Sequence, residues 1–344
     1  MSTPQRSAGE TTTLIQQAVN ENTDKRDIAG FLKRQLQQSL AFGTLVILVI
    51  FFAIASPNFF TFSNIATVLL STAVIGILAL GTTFVIITGG IDLSLGTGMA
   101  LCAVMTGVII TNWGLPVWVG ILGGIATGVL MGLVNGVNIT FLRLPPFIAT
   151  LAMMMIAGGL ALVVSNVAPI YFSTSAPDFK KIALGVIIPG IPNAVLITAV
   201  LAIIAAIVLS KTLLGRYTFA IGSNEEATRL SGVNTRRWTI LIYMFAGAFT
   251  GIAGIIIASR LDSAQPQIGT GYELQAIAAV IIGGTSLLGG RGSILGTVIG
   301  ALIMSVLVNG LRIMSIQTEW QNVVVGFVVL LAVFLDSLRN RQRT

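Results

Sequence analysis

Long apolar stretches separated by short polar connections run through residues 40–338 of the chain. A stretch of about 20 apolar residues is long enough to cross the hydrocarbon core of a bilayer as an α-helix. The pattern therefore predicts an all-α, polytopic membrane protein with about ten transmembrane helices. The eighth span is short, so we expect it to be tilted or broken near Gly283–Gly284. The predicted spans are residues 40–56, 65–88, 93–111, 116–140, 147–166, 192–210, 238–259, 274–288, 293–311 and 320–337.

The composition agrees with a bilayer as the solvent. Hydrophobic residues make up 55% of the chain and charged residues 9%, whereas a soluble domain carries about 25% charged residues. The formal net charge is +7, but the Lys and Arg residues flank the spans, so we expect no nucleic-acid partner. The chain has no histidine, which excludes histidine-based metal sites, catalytic triads and proton relays. Its one cysteine, Cys102, lies in an apolar segment and is expected to be a small core residue.

The distribution of positive charge predicts the orientation. An even number of spans places both termini on one side, and the side richer in Lys and Arg is cytoplasmic. With both termini in the cytoplasm, only four basic residues fall outside: Lys180, Lys181, Arg260 and Arg312. We expect a polar cytoplasmic N-terminal tail (1–39) without the pattern of a signal peptide, a transmembrane domain (40–338) and a basic cytoplasmic C-terminal tail (339–344).

Charged residues are nearly absent from the centres of the predicted spans, where each costs at least about 3 kcal/mol. We find no acidic pair, Lys–Asp pair or nucleophile–base pair in mid-membrane. This absence argues against a proton-coupled carrier and against a membrane hydrolase. A transporter of this kind must then take its energy from elsewhere, or act as a passive pore.

A few polar and glycine positions at the span ends are candidates for function. Asp92 follows Gly89–Gly90 and is expected to cap the next helix at the cytosolic boundary, or to act at an inner gate. Gly289, Gly290 and Arg291 are candidates for the same inner boundary. The asparagines in or near spans could contact a polar solute or bond to neighbouring helices: Asn135, Asn138 and Asn166.

Glycine recurs every four residues in the fourth span. Such a spacing removes the side chains from one helical face, which lets two helix backbones pack closely in lipid. The face could be a static packing surface or a pivot. Its members are Gly120, Gly124, Gly128, Gly132 and Gly136.

One charged segment, residues 211–237, interrupts the apolar sequence and is predicted to be cytosolic. Asn224 is a plausible N-cap of a short helix that has Glu225 and Glu226 in its first turn and ends at Ser231–Gly232. A short, capped, exposed helix suits insertion into a groove of a soluble partner. An ordinary solvated loop is the alternative.

The sequences of this segment and of four others resemble those of sugar ABC-importer permeases of the ribose/xylose/arabinose class, most closely the ribose type. The resemblance covers residues 40–338. Two departures are Gln275, where relatives often carry Asp, and the long polar N-terminal extension. The matching motifs are GSNEEATRLSGVNTRR from Gly222, GYELQAIAAVIIGGTSLLGGRGS from Gly271, VIITGGIDLSLG from Val85, PPFIATLAMM from Pro145 and RLDSAQP from Arg260.

The resemblance implies a permease subunit in the bacterial inner membrane that is not itself an enzyme. Two copies form the pathway for a monosaccharide, with a ribose-like pentose favoured. A cytoplasmic ABC ATPase docks below, and a periplasmic or lipid-anchored sugar-binding protein delivers the sugar from above. The chain itself binds no nucleotide, metal or other cofactor, because ATP and Mg are used by the ATPase.

The resemblance also assigns candidate residues. The coupling segment that would seat in the ATPase comprises Gly222, Asn224, Glu225, Glu226, Ala227, Arg229, Leu230 and Gly232. Candidates for docking the binding protein are Asp178, Arg260, Asp262 and Glu273. Two other functions stay open: a passive sugar or polyol facilitator or channel, and a structural or sensory membrane protein that recruits a cytosolic partner.

Overall fold

A computed structural model describes residues 39–341 of the chain. The described part contains thirteen helices and one pair of two-residue strands. The predicted N-terminal tail lies outside it apart from Ser39, and of the predicted C-terminal tail residues 339–341 continue α13 while 342–344 lie outside. The helices are α1 (Ser39–Ala55), α2 (Phe62–Ile87), α3 (Leu95–Gly107, continued by a π-helical turn, Val108–Asn112), α4 (Val117–Thr140), α5 (Pro146–Val164), α6 (Lys181–Leu184), α7 (Asn193–Lys211), α8 (Leu213–Ser223), α9 (Glu225–Leu230), α10 (Thr235–Leu261), α11 (Tyr272–Ile282), α12 (Ile294–Ile313) and α13 (Thr318–Arg341).

The prediction of an all-α membrane protein is confirmed. Within residues 39–341, eight helices are long and apolar enough to cross a bilayer, and two further apolar helices, α1 and α11, are shorter. Each of these ten helices coincides with one predicted span. The break expected in the eighth span is present, since α11 ends at Ile282 and Gly284 has a positive φ of 92°. The number of crossings and the side of each terminus stay predictions.

Helix α2 forms the centre of the bundle. It is buried from Thr72 to Ile87 and packs against α7, α10, α11 and α12. Inside the bundle, the Thr83 hydroxyl of α2 shares a hydrogen bond of 2.7 Å with the Thr297 hydroxyl of α12. A hydrogen bond between helices fixes their relative register where lipid offers no polar partner.

The glycine face of α4 packs against α10. A Cβ on Gly128 would overlap the carbonyl oxygen of Gly247, and one on Gly132 would overlap that of Tyr243. The two backbones therefore approach as closely as glycine allows, as the four-residue spacing predicts.

Two helices begin inside the bundle rather than at its surface. The Cα of Gly96, in the first turn of α3, lies against the carbonyl of Gly269, just before α11. Two residues further on, Gly98 adjoins Thr250, which is about 22 Å along the helix from the start of α10. Helices α3 and α11 thus start at about half the depth of the bundle and run to opposite ends. The eleven residues of α11 span only about 16 Å, half of a hydrocarbon core of about 30 Å.

The short strands join two connections at the end of the bundle opposite α9, which we call the outer end. Strand β1 (Ile170–Tyr171) follows α5, and β2 (Ser263–Ala264) follows α10. They pair antiparallel, with Ile170 opposite Ala264. The end that carries α8 and α9 is called the inner end.

Candidate functional site

Helix α9 occupies the charged segment and has the predicted ends. The Asn224 side-chain oxygen accepts a hydrogen bond of 2.9 Å from the Ala227 amide, which satisfies one of the free amides of the first turn. Glu225 and Glu226 lie in that first turn, where the helix dipole favours acids. The chain leaves the helix through Gly232, whose φ is +85°.

The exposed side chains of α9 form one surface. Thr228 is the one buried residue of α9, and the other side chains of the helix are exposed. Leu230, a large apolar side chain, is 79% exposed. Glu226 and Arg229 form an exposed ion pair of 3.4 Å, an arrangement worth about 0–1 kcal/mol. We call the exposed set the α9 surface; it comprises Glu225, Glu226, Ala227, Arg229 and Leu230.

The base of α9 is fixed to the membrane helices by backbone contact. Gly222, two residues before the N-cap Asn224, lies against the carbonyl oxygen of Ile87 at the end of α2. The Gly290 amide donates a hydrogen bond of 2.8 Å to that same oxygen. A Cβ on Gly289 would lie 2.7 Å from the Gly222 carbonyl oxygen. Three of the motifs that carry the family resemblance therefore meet at one point, and the meeting requires glycine.

The polar residues after Gly89–Gly90 form a buried chain. An Asp92 carboxylate oxygen accepts hydrogen bonds from the Ser94 amide (2.8 Å) and the Ser94 hydroxyl (2.6 Å). The Asn135 amide of α4 donates to the Ser94 hydroxyl at 3.0 Å. Asn135 lies five residues before the end of α4, about 7 Å inside the bundle. Asp92 is therefore not at the cytosolic boundary, and it supports Ser94 rather than an amide of the following α-helical turn.

An inner cleft of about 690 Å³ separates α9 from the helix ends above it. Gly89, Gly90 and Tyr243 line the side of the cleft formed by the membrane helices, and Glu225 and Arg229 line the side formed by α9. The Tyr243 hydroxyl is buried without a hydrogen-bond partner in the described structure. Arg291, the remaining inner-boundary candidate, is exposed at the inner end.

The three asparagines proposed for a solute path are not brought together. Asn135 bonds to a neighbouring connection, as described above, and Asn138 is half-buried one turn further along α4. Asn166 is exposed beyond the far end of α5, with a φ of +53°.

The candidates for docking a binding protein differ in exposure. Asp178 is exposed and forms an ion pair of 2.8 Å with Lys181, and this hydrogen-bonded partner holds the pKa of the Asp178 carboxyl below its usual value. Arg260 and Asp262 are half-buried at the end of α10. Glu273 is only 9% exposed, and its carboxylate packs against Gly96 and accepts a hydrogen bond of 3.1 Å from the Gly271 amide.

The structure adds a polar cavity at the outer end that the sequence analysis did not assign. This outer cavity has a volume of about 430 Å³. The sequence of the ninth span contains a sign of this cavity. A spacing of four and then three residues places three polar side chains on one helical face. These are Ser305, Asn309 and Arg312, and all three line the cavity.

Comparison with known proteins gives a consistent group. Residues 64–333 match the family model described as a branched-chain amino acid transport system / permease component. The ribose import permease protein RbsC of Escherichia coli (strain K12) is 42% identical over 311 residues, covering 89% of this chain and 96% of the relative. RbsC of Bacillus subtilis (strain 168) is 44% identical over 292 residues (85% and 90%). The D-allose transport system permease protein AlsC of E. coli K12 is 36% identical over 299 residues (86% and 90%).

Proposed function

This chain belongs to the family described as the permease component of branched-chain amino acid transport systems. From that membership and from its sugar-permease relatives, we propose that it is the membrane-spanning subunit of an ATP-driven monosaccharide importer. It is a multi-pass protein of the bacterial inner membrane and not an enzyme, since the ATPase of this family is a separate subunit. The resemblance to ribose-class permeases is confirmed by relatives at 42% and 44% identity.

The monosaccharide cargo is taken from the relatives rather than from the family description. The relatives named above are permeases for ribose and allose, and their similarity covers at least 85% of this chain. We propose a ribose-like pentose as the favoured sugar, because the two ribose permeases share more identical positions with this chain than the allose permease does.

The observation that supports an ATP-driven function is the contact between Gly222, at the base of α9, and the end of α2. The α9 surface is exposed on the cytosolic side, and Gly222 connects its base to the end of α2 through backbone atoms. A push on α9 by a cytoplasmic ABC ATPase would reach α2, at the centre of the bundle, without passing through flexible side chains. A passive facilitator has no use for this connection.

The remaining partners follow from the same proposal. A second copy of the chain completes the translocation pathway, and a periplasmic or lipid-anchored sugar-binding protein docks at the outer end. The chain binds no cofactor of its own, since ATP and Mg act on the ATPase.

The deciding experiment is sugar uptake into proteoliposomes that contain the chain, its candidate ATPase and its candidate binding protein. Uptake of ribose that requires both the binding protein outside and ATP at the ATPase supports the proposal. Uptake that is equally fast without ATP and without the binding protein would establish a facilitator instead. Absence of flux with every partner present would favour a structural or sensory role.

A further inference from the structure

The outer cavity has the size and position of a small-molecule site. Its volume of about 430 Å³ lies within the range of about 300–1,000 Å³ that is typical of ligand sites. It opens among the outer ends of α10 and α12, the start of α13 and the start of α11. Ser305 lies eight residues before the end of α12, so the cavity reaches about 12 Å into the bundle.

The lining of the outer cavity is polar although it lies among membrane helices. The polar side chains that line it include Arg260, Tyr272, Gln275, Ser305, Asn309 and Arg312. Polar and ionisable groups at this depth are costly, and they persist where they face a water-filled cavity with a function. The cavity is therefore a functional element rather than a packing defect.

Several of these groups are left with hydrogen-bonding capacity. The Ser305 hydroxyl is buried, and within the described residues it has no hydrogen-bond partner. Arg260 donates a hydrogen bond of 3.3 Å to the Ser71 hydroxyl. None of the residues that line the cavity in the described structure is acidic, and neither Arg260 nor Arg312 forms an ion pair there.

We propose that the outer cavity is the site at which the permease binds a neutral monosaccharide after its release from the binding protein. This inference rests on the proposed function and names the site that the function requires. The two guanidinium groups supply donors for ring and hydroxyl oxygens, and the amide oxygens of Gln275 and Asn309 accept from hydroxyl hydrogens. The Tyr272 ring supplies an amphipathic face of the kind that covers the C–H side of a sugar ring.

Gln275 has a particular part in this assignment. It lies in the first turn of α11 beside the cavity, whereas Glu273, two residues earlier, points into the bundle against Gly96. An amide at position 275 both donates and accepts, and it adds no charge, which fits an uncharged polyol.

The test uses cysteine protection in the complete transporter, reconstituted with its ATPase. The single native cysteine, Cys102, is fully buried, so an introduced thiol is the reactive one. Gln275→Cys is treated from the outside with a small, charged thiol reagent, with and without saturating ribose. Gln317→Cys is the matched control, because Gln317 is exposed in the connection between α12 and α13 at the outer end and does not line the cavity.

We expect ribose to slow modification of Gln275→Cys about tenfold and to leave modification of Gln317→Cys unchanged. Asn322→Cys, at the cavity mouth on α13, provides a second variant that tolerates substitution because Asn322 is exposed. An unchanged rate at both positions would overturn the proposal. Stronger protection by an acidic sugar such as gluconate than by ribose would overturn the assignment to a neutral ligand.

Uptake measured in the same proteoliposomes, with the binding protein added outside, distinguishes a failure of the cavity assignment from a failure of the proposed function. ATP-dependent ribose uptake without protection at either cysteine would reject the cavity as the sugar site and leave the proposed function in place. Absence of both uptake and protection would reject both.

Discussion

The Cα of Gly222 in α8 lies against the carbonyl oxygen of Ile87, the last residue of α2. The same oxygen accepts a hydrogen bond from the Gly290 amide, so three separate segments share one backbone contact. Movement of α9, which begins three residues after Gly222, must either displace the end of α2 or break this contact. Under the proposed function, this contact is where the ATPase acts on the membrane helices.

Replacement of Gly222 by alanine tests that role. A Cβ at this position would overlap the Ile87 oxygen and lie 2.7 Å from the Gly290 nitrogen, and backbone atoms cannot rotate away as a side chain can. We expect the substitution to weaken this contact by about 1–3 kcal/mol. That loss of coupling free energy should lower ATP-dependent uptake by about 5–150-fold. Uptake per folded transporter is the measurement.

The control for this substitution is Gly159→Ala in α5, where an added Cβ would meet nothing within 4 Å. It should leave uptake unchanged. Normal uptake in Gly222→Ala would show that the contact does not transmit motion.

Charge reversal on the α9 surface tests the docking of the ATPase. Glu226→Lys removes an exposed ion pair with Arg229 and places a cation in the first helical turn, which together cost about 1 kcal/mol of local stability. The protein should still insert and fold. We expect the ATPase to bind about tenfold or more weakly, because an unfavourable charge then faces the partner's groove. Copurification of the ATPase and stimulation of its activity are the measurements.

Glu319→Lys is the matched control for charge reversal, since Glu319 also lies in the first turn of its helix, α13, but at the outer end. It should leave ATPase binding intact. Wild-type ATPase stimulation by Glu226→Lys would remove Glu226 from the interface.

Exposure at the outer end predicts which carboxylate contributes to docking of the binding protein. Asp178→Asn should weaken that docking, because Asp178 is exposed, whereas Glu273→Gln should not, because Glu273 is 9% exposed. Binding-protein affinity for the permease in nanodiscs distinguishes them. A loss of affinity in Glu273→Gln but not in Asp178→Asn would contradict the prediction that the exposed carboxylate contributes to docking.

The pH dependence of docking follows from the direction of the Asp178 shift. Lys181 holds the pKa of Asp178 below its usual value, so the carboxylate is ionised at neutral pH and loses its charge only as the pH falls through that lowered pKa. Docking that depends on Asp178 should therefore be unchanged between about pH 7 and pH 5. A loss of affinity in that window that Asp178→Asn abolishes would contradict this prediction.

The sequence predicted the helices well because span length and capping are local properties. Runs of apolar residues located all ten apolar helices within a few residues, and Asn224, the two glutamates and Gly232 located α9. The depth of a connection is not a local property. Residues 88–94 and 262–271 have the composition of surface loops, yet both enter the bundle, so Gly96 meets Gly269 and Glu273 is buried. The outer cavity depends on contacts between five helices and has only a weak signal in the spacing of Ser305, Asn309 and Arg312.

The glycine surface between α4 and α10 is either a static packing surface or a pivot, and a substitution at Gly128 distinguishes the two. A Cβ on Gly128 would overlap the Gly247 carbonyl oxygen and lie 2.9 Å from the Gly251 nitrogen. We expect Gly128→Ala to force the helices apart at a cost of about 1–3 kcal/mol, seen as a lower Tm in detergent or nanodiscs. Gly159→Ala again serves as the control for the loss of a helical glycine.

The relation between stability and transport then decides the role of this surface. If α4 and α10 form a static pair, uptake by Gly128→Ala per folded transporter at low temperature should equal that of the wild type. If the two helices pivot during transport, the spacing imposed by the extra methyl group should lower uptake per folded transporter as well. An unchanged Tm would show instead that the helices separate without cost, and that the glycines are not needed for close packing.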